Sequence, residues 1–309
     1  MVEAGDAALV ALLRALESRG YDFTAITPAS HAAVIARPDK AEARDLRDIF
    51  GWSLPFARDR LPDELFELLR ESEALVEVGP LWRSCWRVAR LGGLLFLHSA
   101  FPTEAADSIF FGPDSYRFAR FLAAELAGGP PVRRLVDMGS GCGAGALSAA
   151  RLLPGTALTL VDINPEALRL ARVNAAAAGL GIEAVEGDSL DAVEGDFDLV
   201  IANPPYLMDG GARAYRDGGA MRGARLSLDW ALAAARRLPP GGRMLLYSGS
   251  AIVAGRDALH EALAAQLPAL GCTLRYVERD PDVFGEELGG EAYGDVERIA
   301  IVGAVIVKS

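Results

Sequence analysis

The sequence predicts a doubly wound α/β domain with a mostly parallel sheet, preceded by a smaller α+β domain. Two observations predict the larger domain: short apolar runs alternate with helical stretches from Val132 onward, and glycine-rich or polar turns separate them. This alternation is typical of a parallel sheet covered by helices on both faces. A third observation predicts the smaller domain, because several helical patterns and one candidate hairpin come first. With 309 residues, 51% of them hydrophobic, the chain is long enough for two cores. We place an N-terminal domain at residues 1–109 and an α/β domain at residues 110–309.

The N-terminal part contains four helical patterns followed by a hairpin. Thr27 is a candidate cap for the second helix, and the turn Leu91-Gly92-Gly93 joins the two hairpin strands. The predicted helices are Ala7–Glu17, Pro28–Ile35, Ala41–Phe50 and Pro62–Glu71. The predicted strands are Trp82–Arg90 and Leu94–Ser99, and Ser115–Leu126 is predicted as a connecting helix.

The α/β part contains seven candidate strands. They are Arg134–Met138, Ala157–Asp162, Ile182–Glu186, Phe197–Ala202, Arg243–Ser248, Thr273–Val277 and Ile299–Val307. The helices between them are Gly145–Leu153, Pro165–Ala178, Arg225–Leu238 and Arg256–Leu267. Only an acidic, glycine-rich segment separates the last two strands. We therefore expect an antiparallel hairpin at one edge of the sheet.

Composition narrows the classes of function. The formal net charge is −11, which argues against, without excluding, a dedicated nucleic-acid binder with a basic surface. Three cysteines are too few and too scattered for a disulfide framework, so we expect a reducing, cytoplasmic location. The three histidines show no metal-ligand spacing, and we expect no metal. No apolar run approaches the roughly 20 residues of a membrane span, so we expect no membrane partner.

A glycine-rich loop follows the first strand of the α/β domain. It reads Asp137-Met138-Gly139-Ser140-Gly141-Cys142-Gly143. Glycines allow a sharp turn and close approach to a ligand, and the next helix offers free N–H groups. Gly139, Gly141 and Ala144 also fit the G-x-G-x-x-A pattern of dinucleotide-binding folds. From this loop alone, an NAD-type and an S-adenosylmethionine-type cofactor remain equally open.

Acidic residues end the next two strands. Asp162 follows the second strand, where a carboxylate can accept both hydroxyls of a ribose; Asn164 is better placed than Asp162 to cap the next helix. Gly187-Asp188-Ser189 follows the third strand. Ordinary turn chemistry is the alternative for this segment.

The fourth strand ends in Asn203-Pro204-Pro205-Tyr206. Two prolines remove two backbone donors and stiffen the chain, so that carbonyl acceptors remain. Asn203 adds a side-chain acceptor, and Tyr206 adds an aromatic face that we expect to stack on a planar substrate. This set of acceptors suits a substrate with an amide or aromatic amine group. Such an amine is a poor nucleophile because its lone pair is delocalised. Two acceptors that hold its hydrogens free this lone pair for attack, mainly through orientation and preorganised electrostatics.

Taken together, these segments resemble the successive motifs of class I S-adenosylmethionine (SAM)-dependent methyltransferases with an N-P-P-Y signature. That group includes glutamine methyltransferases of release factors and ribosomal proteins, and methyltransferases of adenine or guanine amines in RNA or DNA. The resemblance covers about residues 132–307 and implies a seven-stranded sheet with one antiparallel edge strand. It implies SAM as cofactor, with Asp137 and the glycines around its methionine part, Asp162 at the ribose and Asp188 at the adenine. The expected cofactor site comprises Asp137, Gly139, Ser140, Gly141, Gly143, Asp162, Ile163, Asp188, Ser189 and Asn203, and the expected catalytic residues are Asn203, Pro204, Pro205 and Tyr206.

The methyl acceptor remains open at this stage. The acidic net charge favours a protein glutamine amide as the acceptor. An amine of a nucleobase in RNA or DNA, or a small molecule, is the alternative acceptor. A methyltransferase-like fold retained only for binding is a further alternative. The long segment Leu207–Leu226 carries Arg213, Arg216, Arg222 and Arg225, which either contact substrate or are solvated. In the hairpin, Trp82 and Trp86 alternate with Arg83, Arg87 and Arg90. They form either a stacking surface for nucleic acid or, as we favour, half-buried packing. Substrate recognition is the role expected for the N-terminal domain.

Overall fold

The computed structural model describes residues 4–103, 105, 107–208 and 217–309. The α-helices are α1 (Ala4–Ser18), α2 (Pro28–Ile35), α3 (Leu46–Phe50), α4 (Asp63–Glu71), α5 (Pro113–Leu126), α6 (Ala144–Ala150), α7 (Pro165–Ala177), α8 (Arg225–Arg237) and α9 (Ala258–Gln266). The strands of the N-terminal part are β1 (Leu75–Val78), β2 (Leu81–Ser84), β3 (Trp86–Leu91) and β4 (Leu94–Ser99). Those of the α/β part are β5 (Arg134–Met138), β6 (Ala157–Asp162), β7 (Glu183–Glu186), β8 (Leu199–Ala202), β9 (Arg243–Val253), β10 (Arg256–Asp257), β11 (Cys272–Asp280) and β12 (Arg298–Lys308).

The large sheet has the strand order β11-β12-β9-β8-β5-β6-β7, and the two-residue β10 pairs with β9 beside this path. Strands β5 to β9 pair in parallel, while β12 runs antiparallel to both β9 and β11. Helices α5, α6 and α7 contribute to the core on one face, and α8 and α9 contribute to the core on the other. The observed architecture is the predicted doubly wound fold.

The resemblance implies that the antiparallel strand lies at the edge of the sheet. In the structure, the strand that runs antiparallel to its neighbours, β12, lies one position inside that edge. The edge strand is β11, and β12 lies between β11 and β9. The apolar sequence of β12 explains this placement, because eight consecutive residues, Ile299 to Ile306, are buried between two neighbouring strands. Strand β11 alternates exposed and partly buried residues instead, which suits an edge.

The N-terminal part differs from the prediction in two places. The strand predicted at Trp82–Arg90 is divided at Cys85: β2 pairs with β1, which the sequence analysis missed, and β3 pairs with β4. The helix predicted at Ala41–Phe50 begins only at Leu46, because the Asp45 side chain accepts a hydrogen bond from Asp48 N and caps it there. The second helix has the predicted limits, and its cap Thr27 accepts from Ser30 N at 3.2 Å.

The tryptophans and arginines of the hairpin region take part in packing. The Trp82 ring meets the Phe66 ring edge-on, with 5.4 Å between centroids. Arg87 is buried and donates to the Ser99 carbonyl, and Arg90 forms an ion pair with Glu17. These contacts correspond to the packing interpretation of this segment.

The N-terminal part shares one hydrophobic core with the sheet. Leu9 and Leu13 of α1, Phe96 of β4 and Leu170 of α7 belong to the same buried cluster. The boundary proposed at residues 109/110 falls between β4 and α5, and the division into two domains remains a proposal. Within the described residues, no helix combines the length and apolarity needed to cross a bilayer.

One buried side chain links the hairpin to the glycine-rich loop. The Asn174 amide, in α7, accepts from Leu97 N at 2.9 Å and donates to the Leu97 carbonyl at 3.1 Å. The same amide nitrogen donates to the Cys142 carbonyl at 3.0 Å. Asn174 therefore pairs with the backbone of β4 as a neighbouring strand would, and also holds the loop after β5.

Asn174→Ala should lower the free energy of unfolding by roughly 3 kcal/mol, because it leaves the N–H and C=O of Leu97 buried without a partner. Urea unfolding followed by circular dichroism measures the loss. Arg172→Ala, an exposed position in the same helix, is the control and should cost less than about 0.5 kcal/mol. Equal stability of the two variants would show that the Asn174 bonds contribute little.

Candidate active site

Strand register brings the predicted motifs to one edge of the sheet. Met138 of β5 is paired with Val161 of β6 on one side and with Ala202 of β8 on the other. Gly139 and Asn203 therefore leave adjacent strands at the same level. Asp162 is paired with Glu186 of β7, and Gly187 N donates to the Asp162 carbonyl at 3.0 Å. The carboxyl edge of a parallel sheet is where α/β folds place ligands.

The loop after β5 turns through three glycines in the left-handed region. Gly139, Gly141 and Gly143 have φ angles of 67°, 52° and 85°. A residue with a Cβ adopts such angles at a cost, so the loop requires glycine. The loop is held by N–H donation from Gly139 and Ser140 to the Val161 carbonyl, at 2.9 and 3.1 Å.

Asp137 lies beneath this loop. It is 2% exposed, and its carboxylate accepts from Ala146 N, in the first turn of α6, at 2.8 Å. Burial raises the pKa of Asp137 to about 7, and the Asp162 carboxylate adds to this effect. The structure thus places Asp137 as the support of the loop and of the start of α6.

Asp162 holds the loop from the side. Its two carboxylate oxygens accept from Gly141 N at 2.8 Å and from Asn164 N at 2.9 Å. Burial raises the pKa of Asp162, and these backbone donors oppose the effect. The Asn164 side chain caps α7, as predicted, and donates to the Asp107 carbonyl at 2.8 Å.

The remaining predicted cofactor residues lie further out on the same edge. Ile163 is 52% exposed. Asp188 is exposed and Ser189 is half-buried. The Asp188 carbonyl accepts from the indole of Trp230 at 3.1 Å. The Trp230 ring also lies under the loop, since a Cβ on Gly139 would be only 2.9 Å from it.

In the segments that follow the adjacent strands β5 and β8, two buried side-chain oxygens have no hydrogen-bond partner among the described residues. They are Ser140 Oγ in the glycine-rich loop and Asn203 Oδ1 in the Asn-Pro-Pro-Tyr segment. Burying an acceptor without a partner costs on the order of 1–3 kcal/mol. Unpartnered polar atoms at the carboxyl edge of a sheet are typical of a site that receives a polar ligand.

Tyr206 is buried in a polar cluster. It is 7% exposed, and its hydroxyl donates to the carboxylate of Asp114, at the start of α5. The Tyr247 hydroxyl also donates to Asp114, at 3.4 Å. Burial raises the pKa of Asp114, and the bond from Tyr206 opposes this. The Tyr206 ring packs on Gly249 of β9, where a Cβ would overlap the ring. This burial leaves little of the ring for stacking on a substrate, and that role remains a prediction.

The segment after Tyr206 returns to the same backbone. Gly218 N donates to the Leu207 carbonyl at 2.7 Å, and Leu207 forms an isolated bridge with Asp217. Arg222 forms an ion pair with Asp295, and Arg225 forms one with Asp229. Arg213 and Arg216 lie outside the described residues. Within the described part of the chain, no group of three or more histidines, cysteines and acids is arranged to hold a metal.

Comparison with known proteins identifies this region. The profile of the methyltransferase small domain family matches residues 117–252. The chain is 37% identical over 158 residues to a release factor glutamine methyltransferase of Deinococcus radiodurans, covering 50% of this chain and 55% of that protein. It is 38% identical over 87 residues to a ribosomal RNA small subunit methyltransferase C of Pseudomonas entomophila, covering 28% of this chain and 26% of that protein. These matches support a class I SAM-dependent methyltransferase of this superfamily. The predicted resemblance is thereby confirmed.

A solved structure shares the fold. The crystal structure of Trm5b from Pyrococcus abyssi superposes with a TM-score of 0.50 at 14% identity, covering 79% of this chain and 68% of that one. This similarity concerns the fold alone. The chain spans about half the length of the Deinococcus radiodurans relative.

The candidate site includes two residues that no sequence pattern predicted. Asp114 and Trp230 contact the predicted motifs from α5 and α8, and they lie 92 and 42 positions along the chain from the residues they bond. Neither belongs to a recognisable local pattern. Only the position of Asp114 at the start of a predicted helix was visible, and that position is typical of a cap or first-turn acid.

Asp137→Asn should flatten the dependence of stability on pH. Because the folded-state pKa is raised to about 7 from 3.8, the Asp137 contribution is fully present below pH 4 and is lost as the pH rises through 7. A difference of about three pKa units corresponds to at most about 4 kcal/mol. Thermal unfolding between pH 5 and 8 should show a steeper fall in Tm for the wild type than for the variant. Parallel curves would show that Asp137 is ionised throughout, and the wild-type slope would then belong to Asp114 and Asp162, whose pKa values are also raised.

Proposed function

We propose that this chain is a SAM-dependent N-methyltransferase that acts on a planar amine nitrogen, with a protein glutamine amide as the favoured acceptor. The observation that carries the proposal is the unpartnered, buried oxygen of Asn203 at the carboxyl end of β8, beside the glycine-rich loop. An acceptor oriented in advance at this point suits a donor N–H of the substrate.

The residues at this edge fit SAM. The Ser140 hydroxyl, which has no partner among the described residues, would border the methionine part. The Asp162 carboxylate would hold the ribose hydroxyls, the exposed Ile163 side chain would cover an adenine face, and Asp188 and Ser189 would border its amine. When bound, SAM supplies an electrophilic methyl group on a sulfonium.

Asn203 and the Pro204 carbonyl would hold the two hydrogens of the acceptor nitrogen. Because Pro204 and Pro205 carry no N–H, this corner presents acceptors and few donors. Holding both hydrogens draws the nitrogen out of conjugation and turns its lone pair towards the methyl group. Orientation of this kind accounts for a large part of the rate gain in such reactions.

The relatives support the two acceptor classes unequally. The match to a release factor glutamine methyltransferase extends over 158 residues, and the match to an rRNA methyltransferase extends over 87. The net charge of −11 also favours a protein over a polyanion. Exocyclic-amine methylation of a nucleobase in RNA or DNA is the second candidate, and the rRNA relative is the observation that favours it. We further propose that residues 1–109 recognise the substrate and, from the free cysteines Cys85, Cys142 and Cys272, that the protein works in the cytoplasm.

Transfer of labelled methyl from SAM to ribosomes, release factors, tRNA and a metabolite pool tests the acceptor class. Label in a release factor or ribosomal protein supports the main proposal, and label in RNA supports the second. SAM binding without label in any pool would favour a fold retained for binding.

Asn203→Ala should lower kcat at least about 100-fold while SAM affinity changes less than twofold, since the proposed role of this side-chain oxygen is to hold the acceptor. Its Tm should not fall, because Asn203 Oδ1 has no partner among the described residues. Asn203→Asp, which keeps an acceptor oxygen, is the matched control and should retain more activity than the alanine variant. Loss of SAM affinity in parallel with kcat would count against the assigned role.

Asp162→Asn should weaken SAM binding about tenfold or more through the ribose. The decisive comparison uses S-adenosylhomocysteine and its 2′-deoxyribose analogue, measured by calorimetry. Wild type should bind the deoxy analogue more weakly, and the variant should discriminate much less. If both proteins discriminate equally, Asp162 only supports the loop through Gly141 and Asn164.

A further inference from the structure

A basic cavity lies on the α5 face of the sheet. It has a volume of about 300 Å³ and is lined by Arg117, Arg120, Phe121, Tyr247, Arg279, Asp280 and Ile301. Arg117 and Arg120 come from α5, Arg279 and Asp280 from the end of β11. Three guanidinium groups thus face a single lining carboxylate, around an apolar floor formed by Phe121 and Ile301.

The cavity lies at the level of the reaction centre. Ile301 of β12 is paired with Asp280 of β11 and with Gly249 of β9, the residue that the Tyr206 ring covers. The link is also polar: Tyr247 on the cavity wall and Tyr206 both donate to Asp114. Arg117 contacts the same carboxylate at 3.2 Å. A group bound in the cavity is therefore separated from the Asn-Pro-Pro-Tyr segment by one shell of side chains.

The cations of this cavity are unequally paired. Arg117 lies 3.5 Å from Asp280, and Arg279 lies 2.8 Å from Glu125. Arg279 also covers the Phe121 ring, with its guanidinium carbon 5.2 Å from the centroid. Arg120 is exposed and has no ion pair among the described residues. One guanidinium without an ion pair, flanked by two that are paired with carboxylates, matches a single negative charge better than the repeated charges of a nucleic-acid backbone.

We propose that this cavity binds a carboxylate of the methyl acceptor, an acidic side chain close in sequence to the methylated glutamine, with Arg120 as its main partner. The proposal rests on the proposed function, and it names the feature that selects one glutamine among many. Binding of the acidic group would place the amide at Asn203, and selectivity would come from the charge next to the glutamine.

Peptide binding in the presence of S-adenosylhomocysteine tests this proposal separately from catalysis. The probes are acetylated and amidated heptapeptides with one glutamine among alanines and glycines. Each carries one Glu two or three positions before or after the glutamine, and has a counterpart with Met in place of Glu. At least one Glu peptide should bind on the order of tenfold more tightly than its Met counterpart, and salt should reduce the difference.

Three variants of the full-length protein assign the effect. Arg120→Gln should abolish the preference for Glu and leave the affinity for S-adenosylhomocysteine unchanged, whereas Arg120→Glu should prefer a peptide with Lys at that position. Arg236→Gln, an exposed arginine on α8 at the opposite face, is the control of equal charge and should keep the wild-type preference. Equal binding of Glu and Met peptides, or a preference that survives Arg120→Gln, overturns the proposal. Tight binding of a single-stranded RNA 12-mer that depends on Arg120 overturns it in favour of a phosphate.

The proposed function fails by a different result. If no glutamine peptide or protein is methylated while the preference for Glu peptides persists, the proposed function is wrong. The cavity would then still be a carboxylate-binding site. If peptides are methylated equally with and without the acidic residue, the proposed function stands. The proposed role of the cavity is then wrong.

Discussion

The parallel register of β5 with β6 and β8 is the constraint on which the rest of the site depends. Met138 is paired with both Val161 and Ala202, so three chain segments reach the carboxyl edge of the sheet at one level. A one-residue slip of β8 would turn Asn203 to the opposite face, because side chains alternate along a strand. The apolar residues of these three strands are buried on both faces of the sheet and fix this register. The register in turn determines where the polar groups at the edge lie.

The cofactor loop is in turn supported from beneath and from both sides. Asp137 bonds the start of α6, Asp162 bonds Gly141, and Trp230 lies under Gly139. Asn174 adds a fourth support and joins the Cys142 carbonyl to the backbone of β4. Because β4 belongs to the N-terminal part, this amide side chain adds a polar link between that part and the loop, beside the hydrophobic core that they share.

Much of the α/β fold was predictable because its signals are local. The limits of β5 and β6 were predicted to the residue, since each is a short apolar run with an acid at its last or second-last position, followed by a turn. The N-terminal strands were harder, because Trp82 to Arg90 reads as one run although the Ser84 side chain bonds Trp86 N and Cys85 N donates to Ala74. Likewise, the insertion of β12 between β9 and β11 depends on competition among strands for burial. Asp114, Trp230 and Asn174 act over long separations in sequence, and no local pattern marks them.

Tyr206 illustrates how a correctly recognised motif can hold a residue in an unexpected environment. An exposed aromatic face was expected at the end of the strand, yet the ring fills the space above Gly249 and its hydroxyl is bound by Asp114. The Asp114 carboxylate accepts from two tyrosines and contacts Arg117, so its pKa reflects burial opposed by three donors. The rigidity of the Asn-Pro-Pro-Tyr corner therefore has two sources: prolines that restrict the backbone, and an anchored tyrosine that fixes where the corner ends. Anchoring of this kind holds the Asn203 oxygen in place before any acceptor arrives, which is the condition under which an oriented dipole contributes most to catalysis.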